Sequence, residues 1–304
     1  MKRIFLFLMI NLMVMLTIGV LCSVFGIDRY FVGEEVDVSQ LMAFSAVVGF
    51  SGSFISLLMS KTIAVMTTGA KVIARPETTE EIWLVETVAD LADKAGVRRP
   101  DVAIYKGDPN AFATGAFKNS ALVAVSTGLM ATMNKNEIRA VLAHEMSHVR
   151  NGDMVTMALL QGVLNTFVFF LSRLLTRLLV RSRSKGMSRM SMRLVSHLFE
   201  MIFGILAMTV SCSLSRRREY RADAGAADLL GSPRPMIDAL KALSGKRAES
   251  LPAEMKAFGI VSTDALVRLF ATHPPLEDRI AALSRNQSSP MIKGRGGLFG
   301  SVGD

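Results

Sequence analysis

The chain has 304 residues, half of them apolar, with 35 lysines and arginines against 26 aspartates and glutamates, a net charge of +9, a pI near 9.8 and a mean hydropathy of +0.37. Charged residues make up 20%, below the roughly 25% of an average soluble domain, so the apolar excess lies in blocks that face something other than water. A disordered chain and a disulfide scaffold are excluded: the two cysteines, Cys22 and Cys212, sit inside apolar runs and read as small buried hydrophobes.

The first block, residues 4–27, holds 24 uncharged residues after Lys2 and Arg3, about 36 Å of helix at 1.5 Å per residue. It is longer than the apolar core of a cleavable signal and lacks an A-x-A cut site, so it predicts an uncleaved membrane helix. A second uncharged run covers residues 38–60, and the link between the two carries Asp28, Arg29, Glu34, Glu35 and Asp37. Lys2 and Arg3 precede this hairpin and Lys61, Lys71 and Arg75 follow it, which places both outer ends in the cytoplasm.

Residues 79–95 show apolar positions at helical spacing, Ile82, Val85, Val88, Ala89 and Ala92, and end at Gly96. Residues 101–105 and 121–125 are short and β-rich and predict strands, with a turn at 107–110 between them. Helix dominates elsewhere, so the predicted fold class is α+β, mainly helical, with a small sheet and transmembrane helices.

A helix is predicted from Asn134, with Glu137 as its capping-box partner, to Gly152. Two further apolar runs follow. Residues 154–172 are uncharged and stay apolar past Arg173 and Arg177; residues 194–215 are broken by His197 and Glu200, leaving 15 uncharged residues, about 22 Å of helix. Arg181, Arg183, Lys185, Arg189 and Arg193 lie between them and would fall on the wrong side of a membrane that both runs crossed. The favoured reading is still a hairpin that enters the membrane, with Glu200 turned to protein or water. The expected layout is an N-terminal transmembrane hairpin (1–60), a first part of a cytoplasmic domain (61–153), a second hairpin (154–215), the second part of the domain (216–290) and a glycine-rich tail (291–304).

The chemistry is concentrated in His144-Glu145-Met146-Ser147-His148. Spacing of four on a helix puts both imidazoles on one face, where they suit one divalent ion, most often zinc. Glu145 between them is placed to take a proton from an activated water and hand it to a leaving amine. A third ligand is then needed. Glu219 and Asp223 share a helical face; Glu219 is long enough to reach a metal and Asp223 to accept an imidazole N–H, while the competing reading is a pair of surface charges answering the surrounding arginines. His197 reads as a hydrogen-bonded packing histidine. His273, before Pro274 and Pro275, reads either as a loop histidine or as a group that steadies a substrate carbonyl.

The N-terminal hairpin, Pro109-Asn110-Ala111-Phe112-Ala113-Thr114-Gly115, the H-E-M-S-H helix, R-R-R-E-Y-R-A-D-A-G-A and T-H-P-P-L-E-D-R-I together resemble, in order and spacing, the HtpX family of bacterial heat-shock membrane metalloproteases. The resemblance implies a gluzincin-type zinc endopeptidase domain in the inner membrane that degrades misfolded membrane proteins. It implies one zinc per chain held by His144, His148 and Glu219, general-base duty for Glu145 and a supporting role for Asp223 behind a ligand. It also implies substrate binding by Asn110, Ala111, Phe112 and Ala113. On the residues themselves, 109–117 are expected to form an edge strand that pairs with extended substrate through its main chain.

The alternative is a membrane chaperone or scaffold with a structural zinc, which the absence of a closed cysteine ligand set and the presence of Glu145 disfavour. A nucleic-acid partner is not expected. The basic residues at 173–193 and 216–221 flank apolar runs and suit anionic lipid head groups instead.

Overall fold

The computed structural model describes residues 38–181, 188–249 and 271–288. The predicted span at 4–27, its acidic link and the tail at 291–304 lie outside these residues.

The described chain opens with α1 (Val38–Thr68), a helix of 31 residues that is apolar around its circumference. A short strand β1 (Lys71–Val72) leads to α2 (Thr79–Ala95). The Thr78 and Glu81 capping box starts α2 and Gly96, at φ 66°, stops it where the apolar periodicity predicts. Next come β2 (Asp101–Tyr105), β3 (Ala111–Thr114), β4 (Leu122–Ser126) and the short α3 (Thr127–Thr132).

The sheet order is β1-β2-β4-β3. The two strands predicted from sequence are parallel neighbours, Asp101 opposite Leu122 and Tyr105 opposite Ser126. The chain turns after β2, runs back as the edge strand β3, and only then inserts β4 between them; β1 and β3 both pair antiparallel. The expected edge strand is thus present but shorter than residues 109–117.

The helix α4 (Lys135–Asn151) begins with an Asn134 and Glu137 capping box and ends at Gly152, φ 66°. Its apolar face and those of α2, α7 (Arg234–Glu249) and α8 (Leu276–Ser288) close over one face of the sheet. Leu84, Leu91, Leu142, Met146, Leu240 and Leu283 are sealed in that core, each such side chain contributing about 1.5–3 kcal/mol. The end of α1, through Val65, and Ala70 just beyond it pack on the other face of the sheet, against Tyr105 and Phe112.

Between α4 and α7 stand α5 (Asp153–Arg181) and α6 (Arg189–Leu230). Among the described residues three helices, α1, α5 and α6, are long and apolar enough to cross a membrane. They pack antiparallel in sequence order. Phe44 meets Phe169, and a Cβ added to Gly49 would lie 2.5 Å from Thr166, or to Gly162 2.5 Å from Phe50, so glycines bring α1 and α5 to backbone contact. Ser45, Ser53 and Thr166 return their hydroxyl hydrogens to carbonyls of their own helices. Phe167, Leu194, Leu198, Ile205 and Leu206 point outward, away from the rest of the fold.

The sequence reading ends one apolar run at residue 215 and begins a separate helical stretch there. In the structure α6 is one helix of 42 residues that carries both. Glu200 faces α5, with Arg173 Nη2 at 3.7 Å and His197 Nδ1 at 2.8 Å. His197 is hydrogen-bonded as expected but not packed: its side chain is 63% exposed.

Candidate metal centre

One face of α4 meets the C-terminal end of α6 at a close approach set by Gly225, where an added Cβ would lie 2.1 Å from Ser147 Oγ. That contact brings Glu219 over the two histidines. His144 Nε2 and His148 Nε2 are 3.2 Å apart, His144 Nε2 is 3.5 Å from Glu219 Oε2, and His148 Nε2 is 3.4 Å from Glu219 Oε1. All three residues are buried. Each imidazole thus has one carboxylate oxygen of Glu219 within 3.5 Å, and the three groups are close enough to share one metal ion.

The outer nitrogens of the imidazoles are held by carboxylates from different helices. His144 Nδ1 lies 2.9 Å from Asp223 Oδ1. His148 Nδ1 lies 2.6 Å from Asp153 Oδ2, at the first residue of α5. Both carboxylates are in turn gripped by arginines: Arg279 Nε and Nη2 donate to Asp223 at 2.8 and 2.6 Å, and Arg221 Nη2 donates to Asp153 at 2.7 Å, with Arg218 Nε 3.4 Å away. Burial alone disfavours the charged imidazolium, yet the hydrogen bonds to Asp153 and Glu219 outweigh it and push His148 up to about 9. His144 is raised likewise, by Asp223 and Glu219 against its burial. Two imidazoles whose charged form is favoured, around a buried carboxylate held ionised by them, mark an electronegative site that favours a cation.

Glu145 sits beside this cluster and accepts a hydrogen bond from the Ala113 N–H, 2.9 Å from its Oε2. Ser126 N–H donates to Asn110 O on the β4 side, and alternate residues of an edge strand point their main-chain groups outward. Ala111 and Ala113 therefore face away from β4, and the Ala113 N–H on that side is taken by Glu145. The side chains of Asn110 and Phe112 are used elsewhere: Asn110 Nδ2 donates to Tyr105 Oη at 2.9 Å, and the Phe112 ring lies 5.6 Å from that of Tyr105. His273, 68% exposed, places Nδ1 2.8 Å from Glu219 Oε2.

Asp153, Arg218, Arg221 and Arg279 are the residues sequence reasoning missed. Asp153 stands five residues past His148, beyond the helix break at Gly152, so helical spacing does not point to it. Arg279 lies within T-H-P-P-L-E-D-R-I, but its partner Asp223 is 56 residues away.

Comparison with known proteins gives the same picture at the level of the whole chain. Peptidase family M48 matches residues 78–287. Relatives described as "Protease HtpX homolog" include those of Chlorobium phaeobacteroides (strain DSM 266), 54% identical over 288 residues, and Chlorobium limicola, 55% identical over 288 residues, each match covering 93% of this chain and 99% of the relative. The relative from Janthinobacterium sp. (strain Marseille) is 51% identical over 289 residues, covering 93% of this chain and 99% of its own. Among solved structures, Ste24p of S. mikatae superposes with a TM-score of 0.59 at 20% identity, covering 93% of this chain and 67% of that one, which is a likeness of fold.

Proposed function

Because the chain belongs to peptidase family M48, and within it to the HtpX proteases, we propose that it is a zinc endopeptidase of the inner membrane that hydrolyses misfolded or damaged membrane proteins on the cytoplasmic side. That it is a multi-pass membrane metalloprotease follows from the family and its apolar helices. Zinc, the side of the membrane and the substrate class are the proposal. The observation that carries it is the buried set of His144, His148 and Glu219, close enough to share one metal ion, with Glu145 alongside.

Two imidazoles and one carboxylate are the donor set of a catalytic zinc site that keeps a fourth position open, unlike the closed ligand set of a structural zinc. When bound, the ion supplies Lewis acidity that lowers the pKa of water and polarises a peptide carbonyl. Asp223 and Asp153 accept the Nδ1–H of His144 and His148, so both histidines offer Nε2 as the free lone pair.

Glu145 acts as the base. Its carboxylate takes one proton from the attacking water and returns it to the nitrogen of the breaking peptide bond, so that an acid and an amine leave. The outward N–H and C=O of Ala111 and the C=O of Ala113 pair with an extended substrate, while Asn110 and Phe112 fix the strand from behind. Main-chain pairing is indifferent to side chains, which suits a protease of damaged proteins. His273 stands exposed beside Glu219, where it steadies charge developing on the carbonyl oxygen. The cytoplasmic side is supported by the basic residues that flank the first hairpin.

Glu145→Gln tests this directly. Purified in the presence of a zinc chelator to limit self-cleavage and then reloaded, the variant should bind wild-type amounts of zinc by metal analysis and lose about 10²–10⁴-fold in hydrolysis of a membrane-protein substrate. More than half of wild-type turnover would overturn the assignment.

A further inference from the structure

We propose that the turn between β3 and β4, residues 115–121, is a foot on the membrane: Phe117 and Lys118 enter the phospholipid headgroup layer and hold the free edge of β3 at the bilayer surface. The proposal rests on reading α1 and α5 as membrane spans. It adds the surface that meets the lipid and what that contact positions.

Two independent boundaries bracket this turn. The uncharged run of α1 ends at residue 60, and Lys61, its first charge, forms an ion pair with Asp101. Asp101 opens β2 and stands opposite Leu122, which in turn faces Thr114 across the next strand pair. That end of the sheet is therefore level with the point where α1 stops being apolar. On the other flank α4 gives way to α5 at Gly152, and the uncharged run begins at Met154. A Cβ placed on Gly152 would lie 3.2 Å from Lys118 Cε, so the stem of Lys118 rests against the junction itself. The chain leaves β3 at the membrane-directed end of the sheet and turns between the two entry points.

The turn is tight and its tip is bare. Gly115, at φ 139°, brings the strands together where a Cβ would be 2.4 Å from Ser120 O, and Ser120 N–H donates to Phe117 O at 2.9 Å. What projects is Phe117, 60% exposed, followed by the exposed Lys118, Asn119 and Ser120. An aromatic ring next to an ammonium group matches the headgroup layer, where the ring meets the acyl boundary and the ammonium meets phosphate. Ala113, whose N–H reaches Glu145, is four residues before that ring in sequence. Anchoring the turn therefore holds the substrate edge where a polypeptide leaving the bilayer passes it.

The test uses the full chain in nanodiscs of phosphatidylcholine and phosphatidylglycerol, with Phe117→Trp compared against wild type, whose single tryptophan is Trp83. The introduced indole should emit to the blue of a water-exposed one, lose intensity with lipids brominated near the headgroup end of the acyl chain, and resist aqueous iodide. Full quenching by iodide with no effect of brominated lipid would overturn the proposal. So would protection from iodide without bromine quenching, which would mean that protein covers the turn. Phe167→Trp, on the outward face of α5, serves as the control and should be quenched by lipids brominated deep in the chain. If position 167 is quenched and 117 is not, the foot fails while the span stands. If neither is quenched, the membrane placement fails and takes the proposal with it.

Discussion

His144 and His148 aim Nε2 at one point because their other ring nitrogens are pinned from two directions, by Asp223 on α6 and by Asp153 on α5. Such partners typically contribute 10–100-fold in metal affinity. Asp153→Ala should therefore weaken zinc binding by about that factor in competition with a chromophoric chelator. Asp153→Asn, which keeps an acceptor for the imidazole N–H, should lose less. Equal affinity across wild type, asparagine and alanine would show that Asp153 does not orient the ligand. Asp223 was legible in the sequence because it sits one helical turn beyond Glu219. Asp153 was not, because the chain changes direction at Gly152 before reaching it.

At the scale of elements, the centre depends on how closely α6 approaches α4. Gly225 faces Ser147, which lies between the two histidines, so any side chain there pushes Glu219 and Asp223 away from their partners. Alanine is intrinsically better than glycine in a helix by about 1 kcal/mol, yet overpacking costs about 1–3 kcal/mol. Gly225→Ala should therefore lower both thermal stability and zinc affinity. Ser147→Ala in the same chain removes the Oγ at 2.1 Å but leaves Cβ at 3.1 Å, so it should restore part of both. Failure of the second change to rescue the first would locate the defect elsewhere. The capped helices α2 and α4 were readable because caps and apolar spacing are local signals. The order of the sheet was not, because strands of four and five residues carry no information about which neighbour they pair with.

For the molecule as a whole, the bundle of α1, α5 and α6 narrows the conflict between apolar length and basic charge. His148 and Glu219 meet at one end of the α5 and α6 pair, so residues between them leave the site and return to it. The uncharged stretch 154–172 measures about 28 Å, which puts Arg173 and Glu200 near the far edge of a hydrocarbon core rather than at its centre. We propose on this basis that the pair crosses the membrane twice. With Cys22 and Cys212 replaced by alanine, Met190→Cys, at an exposed position near the far end, should react with a membrane-impermeant thiol reagent only from the periplasmic side. Reaction only from the cytoplasm would eliminate the double crossing and leave the metal centre untouched.

What the sequence determined by itself was everything carried by short-range regularity: the apolar runs, the caps, the two histidines on one helical face, and Glu219 with Asp223 one turn apart. These follow from the 3.6-residue period and from charge spacing, which act between neighbours in the chain. Only the tertiary structure decided which carboxylate reaches which imidazole, that a single helix carries both an apolar run and Glu219, and that Arg279 locks Asp223 from 56 residues away. Those contacts come from packing α4, α5, α6 and α8 around one buried charge cluster. The desolvation cost there is offset only when every partner is in place, and no local pattern encodes a partner so distant in the chain.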